Sequence, residues 1–295
     1  MQLSRRAATA IGLIAILLWS SLAVLTAASG AVPPFQLLAM TFAIGGLVLF
    51  AARPGARRAL RQPWPVWLLG VGGLFIYHAA YFIALRNAPP VEAGLINYLW
   101  PTLIVVFSAL LPGERLKWQH IVGCLLALFG AILVVTGGSG LSFDPAYAFG
   151  YGSALVAAVA WATYSVLSRR AGNVSSDAIA GFCIGVAVLA IPCHLLLETT
   201  AWPASPAQWI AVLGLGLGPV GFAFYVWDIG VKRGDIQVLG AVSYATPLIS
   251  TALLILAGYA AYSNVLLIAA LLIVVGGVLA ASELIIARRA GRTTP

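Results

Sequence analysis

Apolar residues follow one another in runs of about twenty along this chain, and short polar breaks divide the runs. The stretch from Ala7 to Ala28 contains no charged residue, and about 20 apolar residues suffice for a helix to cross the hydrocarbon of a bilayer. The pattern predicts an all-α membrane protein with ten transmembrane helices, at residues 8–28, 34–52, 64–86, 90–111, 118–136, 146–168, 177–197, 207–231, 236–258 and 264–286. Turn-forming or charged residues separate them, among them Pro33-Pro34, Arg53-Pro54-Gly55, Pro112-Gly113-Glu114, Gly137-Gly138-Ser139-Gly140 and Arg233-Gly234-Asp235. Arg5 and Arg6 ahead of the first run, with Thr26-Ala27-Ala28 behind it, resemble a cleaved signal. The run is longer than the roughly 7–15 residues of a signal core, so a retained first helix is expected.

Charge sharpens this picture. Charged residues make up 8% of the chain and mean hydropathy is +1.01, whereas a soluble domain carries about 25% charge. With ten helices and a cytoplasmic N-terminus, fifteen of the sixteen basic residues fall on the inside, and Arg86 alone falls outside. Such segregation follows the positive-inside rule, with N- and C-termini both cytoplasmic. The net charge of +8 is therefore flanking charge, not a nucleic-acid footprint. Cys124, Cys183 and Cys193 lie in apolar runs without metal or redox spacing and are expected to be packing residues.

The chain uses one pattern twice. Gly94-Leu95-Ile96-Asn97-Tyr98-Leu99-Trp100-Pro101 answers, 146 positions later, to Gly240-Ala241-Val242-Ser243-Tyr244-Ala245-Thr246-Pro247. The same offset pairs Ile83 with Ile229, Arg86 with Lys232 and Gly130 with Gly276. So long a period reads as a duplicated half, residues 1–140 and 141–295. Five helices per half is odd, so the second half enters the membrane inverted. Arg115 and Lys117 accordingly become Ala261 and Ser263, as the relocation of inside charge requires.

Polar and aromatic residues recur within these runs. Trp19-Ser20-Ser21 answers to Trp161, Tyr164 and Ser165, and Tyr77, His78 and Tyr81 answer to Tyr225 and Trp227. Polar side chains at mid-depth are costly in lipid and face a bundle interior or a wet cavity. The competing readings are interfacial aromatic belts and polar contacts that glue helices together. Trp64, Trp67, Trp118, Trp202 and Trp209, near predicted ends, suit a belt. Tyr77, His78, Tyr81, Asn97, Tyr98, Trp100, Trp161, Tyr164, Ser243 and Tyr244 suit a substrate cavity. Pro101 and Pro247 each remove a backbone donor in mid-helix, which fits either a paired hinge or two ordinary kinks. His78 is either a titrating group or a neutral, hydrogen-bonded one. Asp228, one turn before Lys232, is expected to pair with it. No carboxylate is placed at mid-depth, which argues against a proton-antiport acid and against multivalent cationic drugs as cargo. Gly216-Leu217-Gly218-Pro219-Val220-Gly221 spells a nucleotide-loop pattern but follows no strand, so no cofactor is inferred. No metal site or enzymatic motif is found.

On Pro101, Pro112-Gly113-Glu114-Arg115, Gly123 and Gly130, with the inverted duplication, the chain resembles the drug/metabolite transporter superfamily in its ten-helix form with two EamA-type repeats. Residues Asn97 to Thr102, with Trp227, Gly230, Gly234, Ser243-Tyr244, Thr246-Pro247 and Ser250, are similar to the bacterial aromatic amino acid exporters of that superfamily. The resemblance implies export of zwitterionic aromatic amino acids by alternating access, with methionine and threonine as further candidates. Export of another small amphipathic metabolite or drug is the alternative. A monomer in the lipid bilayer suffices for either.

Overall fold

The computed structural model describes residues 3–139, 144–258, 264–280 and 282. Among them the apolar helices are, in chain order, α1 (Arg5–Ala28), α2 (Pro34–Ala52), α3 (Trp64–Asn87), α4 (Glu92–Ser108), α5 (Trp118–Thr136), α6 (Pro145–Arg170), α7 (Ser176–Leu197), α8 (Pro206–Arg233), α9 (Ile236–Leu256) and α10 (Val265–Ala280). Eight are long and apolar enough to cross a membrane, whereas α4 and α10 are shorter within the described residues. No strand occurs among these residues. Ala261, Ser263 and the basic residues Arg288, Arg289 and Arg292 lie outside them.

The starts of the helices follow from capping chemistry. Ser4 Oγ accepts from Ala7 N at 3.2 Å, Ser205 Oγ from Gln208 N at 3.3 Å and Asp235 Oδ1 from Val238 N at 3.1 Å. Each meets an amide that the helix itself leaves unpaired. Pro34 and Pro206 occupy first-turn positions, where a missing N–H costs nothing.

Four helix pairs supply the closest packing: α5 with α10, α2 with α7, α3 with α6, and α1 with α8. Two of these approaches need glycine. A Cβ on Gly12 would lie 2.9 Å from Gly230 Cα, and one on Gly123 would lie 2.5 Å from Gly276 O. Small residues let backbones approach where lipid supplies no hydrophobic drive.

Charged residues gather at the two ends of the bundle. At the basic end, Arg5 bridges Glu114 (3.2 Å) and Asp235 (3.1 Å), while Arg169 pairs with Glu114 and donates to the carbonyls of Val231 and Gly234, both at 2.8 Å. Arg53 Nε donates to Asp177 at 2.9 Å, and that hydrogen bond holds the guanidinium above its ordinary pKa. Lys232 meets Asp228 at 2.7 Å, as their spacing predicts. At the opposite end Arg86, the exception to the charge pattern, pairs with Glu198 at 2.7 Å. That carboxylate also accepts from the amides of Phe35 and Gln36 at the start of α2, and from His194. It thus caps a helix whose first turn carries no acid of its own.

Because the α5–α10 crossing has no room for a side chain, Gly123→Val should destabilise the fold by about 1–3 kcal/mol. Thermal melting in detergent would show this as a lowered midpoint, with Ala127→Gly as a milder control.

Candidate functional site

Several helices that border the cavity are interrupted beside it. α1 breaks at Ser21, between Arg5–Ser20 and Leu22–Ala28. α4 breaks between Asn97 and Trp100, and α9 between Val242 and Ala245. α8 widens into a π-helical stretch over Gly216–Phe222, and α3 does so over Leu68–Gly72. Pro101 and Pro247 stand in the first turn after the breaks of α4 and α9. Proline cannot donate to the carbonyl four residues back, so those breaks follow from its chemistry.

A cavity of about 240 Å³ lies among the interruptions. Its aromatic wall contains Trp19, Tyr77, Tyr81, Tyr98, Trp100, Trp161 and Phe224, with His78 beside them. Edge-to-face packing holds several rings in place: Trp19 to Trp161 at 5.4 Å, Trp100 to Trp161 at 6.2 Å and Tyr77 to His78 at 4.8 Å. Trp19 is fixed further by its indole N–H, which donates to the Pro219 carbonyl in the widened turn of α8 at 2.9 Å. His78 Nδ1 lies 2.7 Å from the carbonyl of Leu74. The polar wall is Asn97, Thr246 and Ser250. No described residue of the basic-end loops lines the cavity.

Seven of the ten expected residues therefore meet at one cavity: Tyr77, His78, Tyr81, Asn97, Tyr98, Trp100 and Trp161. Tyr164, Ser243 and Tyr244 are placed elsewhere. Tyr164 is buried beneath Gly73 of α3, with its ring against Trp161. The Ser243 hydroxyl donates to the Leu239 carbonyl of its own helix at 2.6 Å. Tyr244 is fully buried among Val105, Cys124 and Ala127, and its hydroxyl is 2.6 Å from that of Thr102. The 146-residue offset equates Ser243 with Asn97 and Tyr244 with Tyr98, but the two members of each pair have different surroundings. Thr246, Ser250, Pro219 and Phe224 also line the cavity; in sequence Thr246 and Ser250 belong to the stretch that carries the resemblance and Pro219 to the glycine-rich stretch of α8, but none of the four is an expected cavity residue.

The EamA-like transporter family description matches residues 7–136 and again 148–282. The Aromatic amino acid exporter YddG of Ancylobacter novellus is 54% identical over 265 residues, covering 88% of this chain and 92% of its own. Its namesake in Escherichia coli K12 is 28% identical, over 85% and 88% respectively. A solved crystal structure superimposes with a TM-score of 0.91 at 53% identity, covering 97% of this chain and 99% of that one.

Trp19→Phe keeps a ring but removes the indole donor, losing the bond to the Pro219 carbonyl at a cost of about 0.5–1.5 kcal/mol. The expected result is a lower melting midpoint together with an altered tryptophan emission, since Trp100, Trp161 and Trp227 all lie within 6.3 Å of Trp19, ring centre to ring centre.

Proposed function

The chain belongs to the EamA-like transporter family, and we propose that it exports amino acids with aromatic side chains across the bacterial inner membrane by alternating access. The observation that carries this reading is the aromatic-walled cavity, whose volume of about 240 Å³ lies near the lower end of the roughly 300–1,000 Å³ typical of small-molecule sites. The 54% identity to an aromatic amino acid exporter supports it. In this reading the rings take the cargo's side chain, and Asn97, Thr246 and Ser250 take its polar end.

Two inverted repeats of five crossings, ten in all, organise the proposed cycle. The packing supports that count: shifting by five helices turns the α1–α8 contact into α6–α3, and maps α2–α7 and α5–α10 onto themselves. The double match of the family description supports it too. With the basic end in the cytoplasm, as the positive-inside rule favours, the proposed cycle needs a seal on that side. The seal is the charge cluster of Arg5, Glu114, Arg169 and Asp235, backed by Tyr244 on Thr102 and by Trp227 Nε1 on Ser165 Oγ at 3.1 Å. Opening it while closing around Tyr81 and Tyr98 would expose the cargo to the other side, with Pro101 and Pro247 as hinges. All the lining belongs to one chain, so a monomer is sufficient.

Counterflow of labelled phenylalanine into proteoliposomes preloaded with unlabelled phenylalanine tests the reading. Accumulation is expected, and Tyr98→Ala or Trp161→Ala should reduce it about tenfold, the loss of one aromatic contact of about 1.4 kcal/mol. Ser243→Ala, away from the cavity, should stay within about twofold. Absence of exchange in folded protein would remove the amino acid reading.

A further inference from the structure

Several helical threonines in this protein spend their hydroxyls on their own backbone. Thr9, Thr41 and Thr136 each donate to the carbonyl four residues earlier, at 2.8 Å in every case. Such back-bonding is the usual fate of a threonine inside a helix. Thr246 departs from it. The residue is 8% exposed and its Oγ1 has no hydrogen-bond partner. The cause is local: α9 is interrupted between Val242 and Ala245, so Thr246 has no regular turn behind it to bond.

Asn97 lies on α4, at the last residue before that helix breaks. It is 5% exposed, its amide nitrogen is directed to the Tyr77 hydroxyl, and its Oδ1 has no partner. An unpaired buried oxygen costs about 1–3 kcal/mol. Two of them belong to residues that line one cavity, and an incoming donor can satisfy both: Asn97 Oδ1 only in that way, and the Thr246 hydroxyl, which can also donate, as an acceptor.

The remaining wall decides which donor. None of the described lining residues is Arg, Lys, Asp or Glu, so no ion pair awaits either end of an amino acid. For an ammonium, however, the wall offers the faces of Trp19, Trp100 and Trp161, and aromatic faces attract cations by about 0.5–2 kcal/mol in desolvated sites. A carboxylate finds only neutral donors, the hydroxyls of Tyr77, Tyr81, Tyr98, Thr246 and Ser250 and the amide of Asn97. The carboxylate contacts are thus replaceable by water.

We infer that the cavity recognises its cargo by the α-ammonium group, at Asn97 Oδ1 and Thr246 Oγ1, and that it therefore also carries aromatic monoamines without a carboxylate. The inference rests on the exporter reading for its cargo class, but the two are tested by different measurements. Phenylalanine counterflow tests the exporter reading. Ligand-dependent thermal shift of the detergent-solubilised protein tests the ammonium assignment, with phenethylamine (ammonium only) and 3-phenyllactate (carboxylate only) as probes.

The expected result is half-maximal stabilisation by phenethylamine at a concentration at least about tenfold below that of phenyllactate, the difference of roughly one charge-assisted hydrogen bond. Labelled phenethylamine should also exchange in proteoliposomes. Thr246→Val should raise the phenethylamine concentration needed about tenfold and Thr246→Ser should restore it. Asn97→Asp, which adds a counter-charge, should lower that concentration and weaken phenyllactate. Should Thr246→Val fail to fold, the Asn97→Asp comparison decides alone. Equal or stronger stabilisation by phenyllactate, or an Asn97→Asp protein indifferent to both probes, would overturn the assignment.

Discussion

Inside a bilayer no water is available to a backbone amide or carbonyl, so each must find a partner in the protein. This constraint makes every described element helical, and it makes any break in a helix expensive. The chain nevertheless breaks α1, α4 and α9 and widens α8, all beside one cavity, where protein and not lipid surrounds the exposed groups. Trp19 shows how the cost is met, since its indole takes a carbonyl in the widened turn of α8. Thr246 and Asn97 show where it is left unmet. The cavity is thus the place where the helical rule is relaxed, and the unpaired groups there are what a ligand can use.

Charge is managed by the same logic at the two ends. Burying Glu114 and Glu198 is tolerable because each is held by more than one donor: Arg5 and Arg169 for the first, and Arg86, His194 and two amides of α2 for the second. Removing one partner of such a group leaves a buried charge uncompensated, which is far more costly than the pair was favourable. These clusters join segments distant in the chain and fix the separation of the helices between them. Close glycine approaches at Gly12 and Gly123 do the same along the helices themselves, without charge.

Reading the site from sequence succeeded where position along a helix decides environment. Tyr77, His78 and Tyr81 share one stretch of α3, and Asn97, Tyr98 and Trp100 flank a proline, so their convergence on the bundle interior was legible. It failed where two positions of the same type are packed differently. Tyr98 lines the cavity while Tyr244, 146 residues on, is sealed against Thr102. Ser243 was free to serve as a ligand group until its hydroxyl met the Leu239 carbonyl. Thr246 stands in the repeated pattern, but that its hydroxyl is unspent is visible only once the helix behind it is seen to break.

What the sequence by itself determined is whatever depends on composition and spacing: the membrane solvent, the helices, the segregation of basic residues, the duplicated pattern and the family resemblance. The free energy of each apolar run entering lipid is a sum over its own residues, so it can be read without knowing its neighbours. Only the tertiary structure decided which of two equivalent positions faces the cavity, which buried oxygens stay unpaired and which ends the ion pairs hold together. Those outcomes depend on distances of a few ångströms between residues far apart in the chain, and no local pattern carries them.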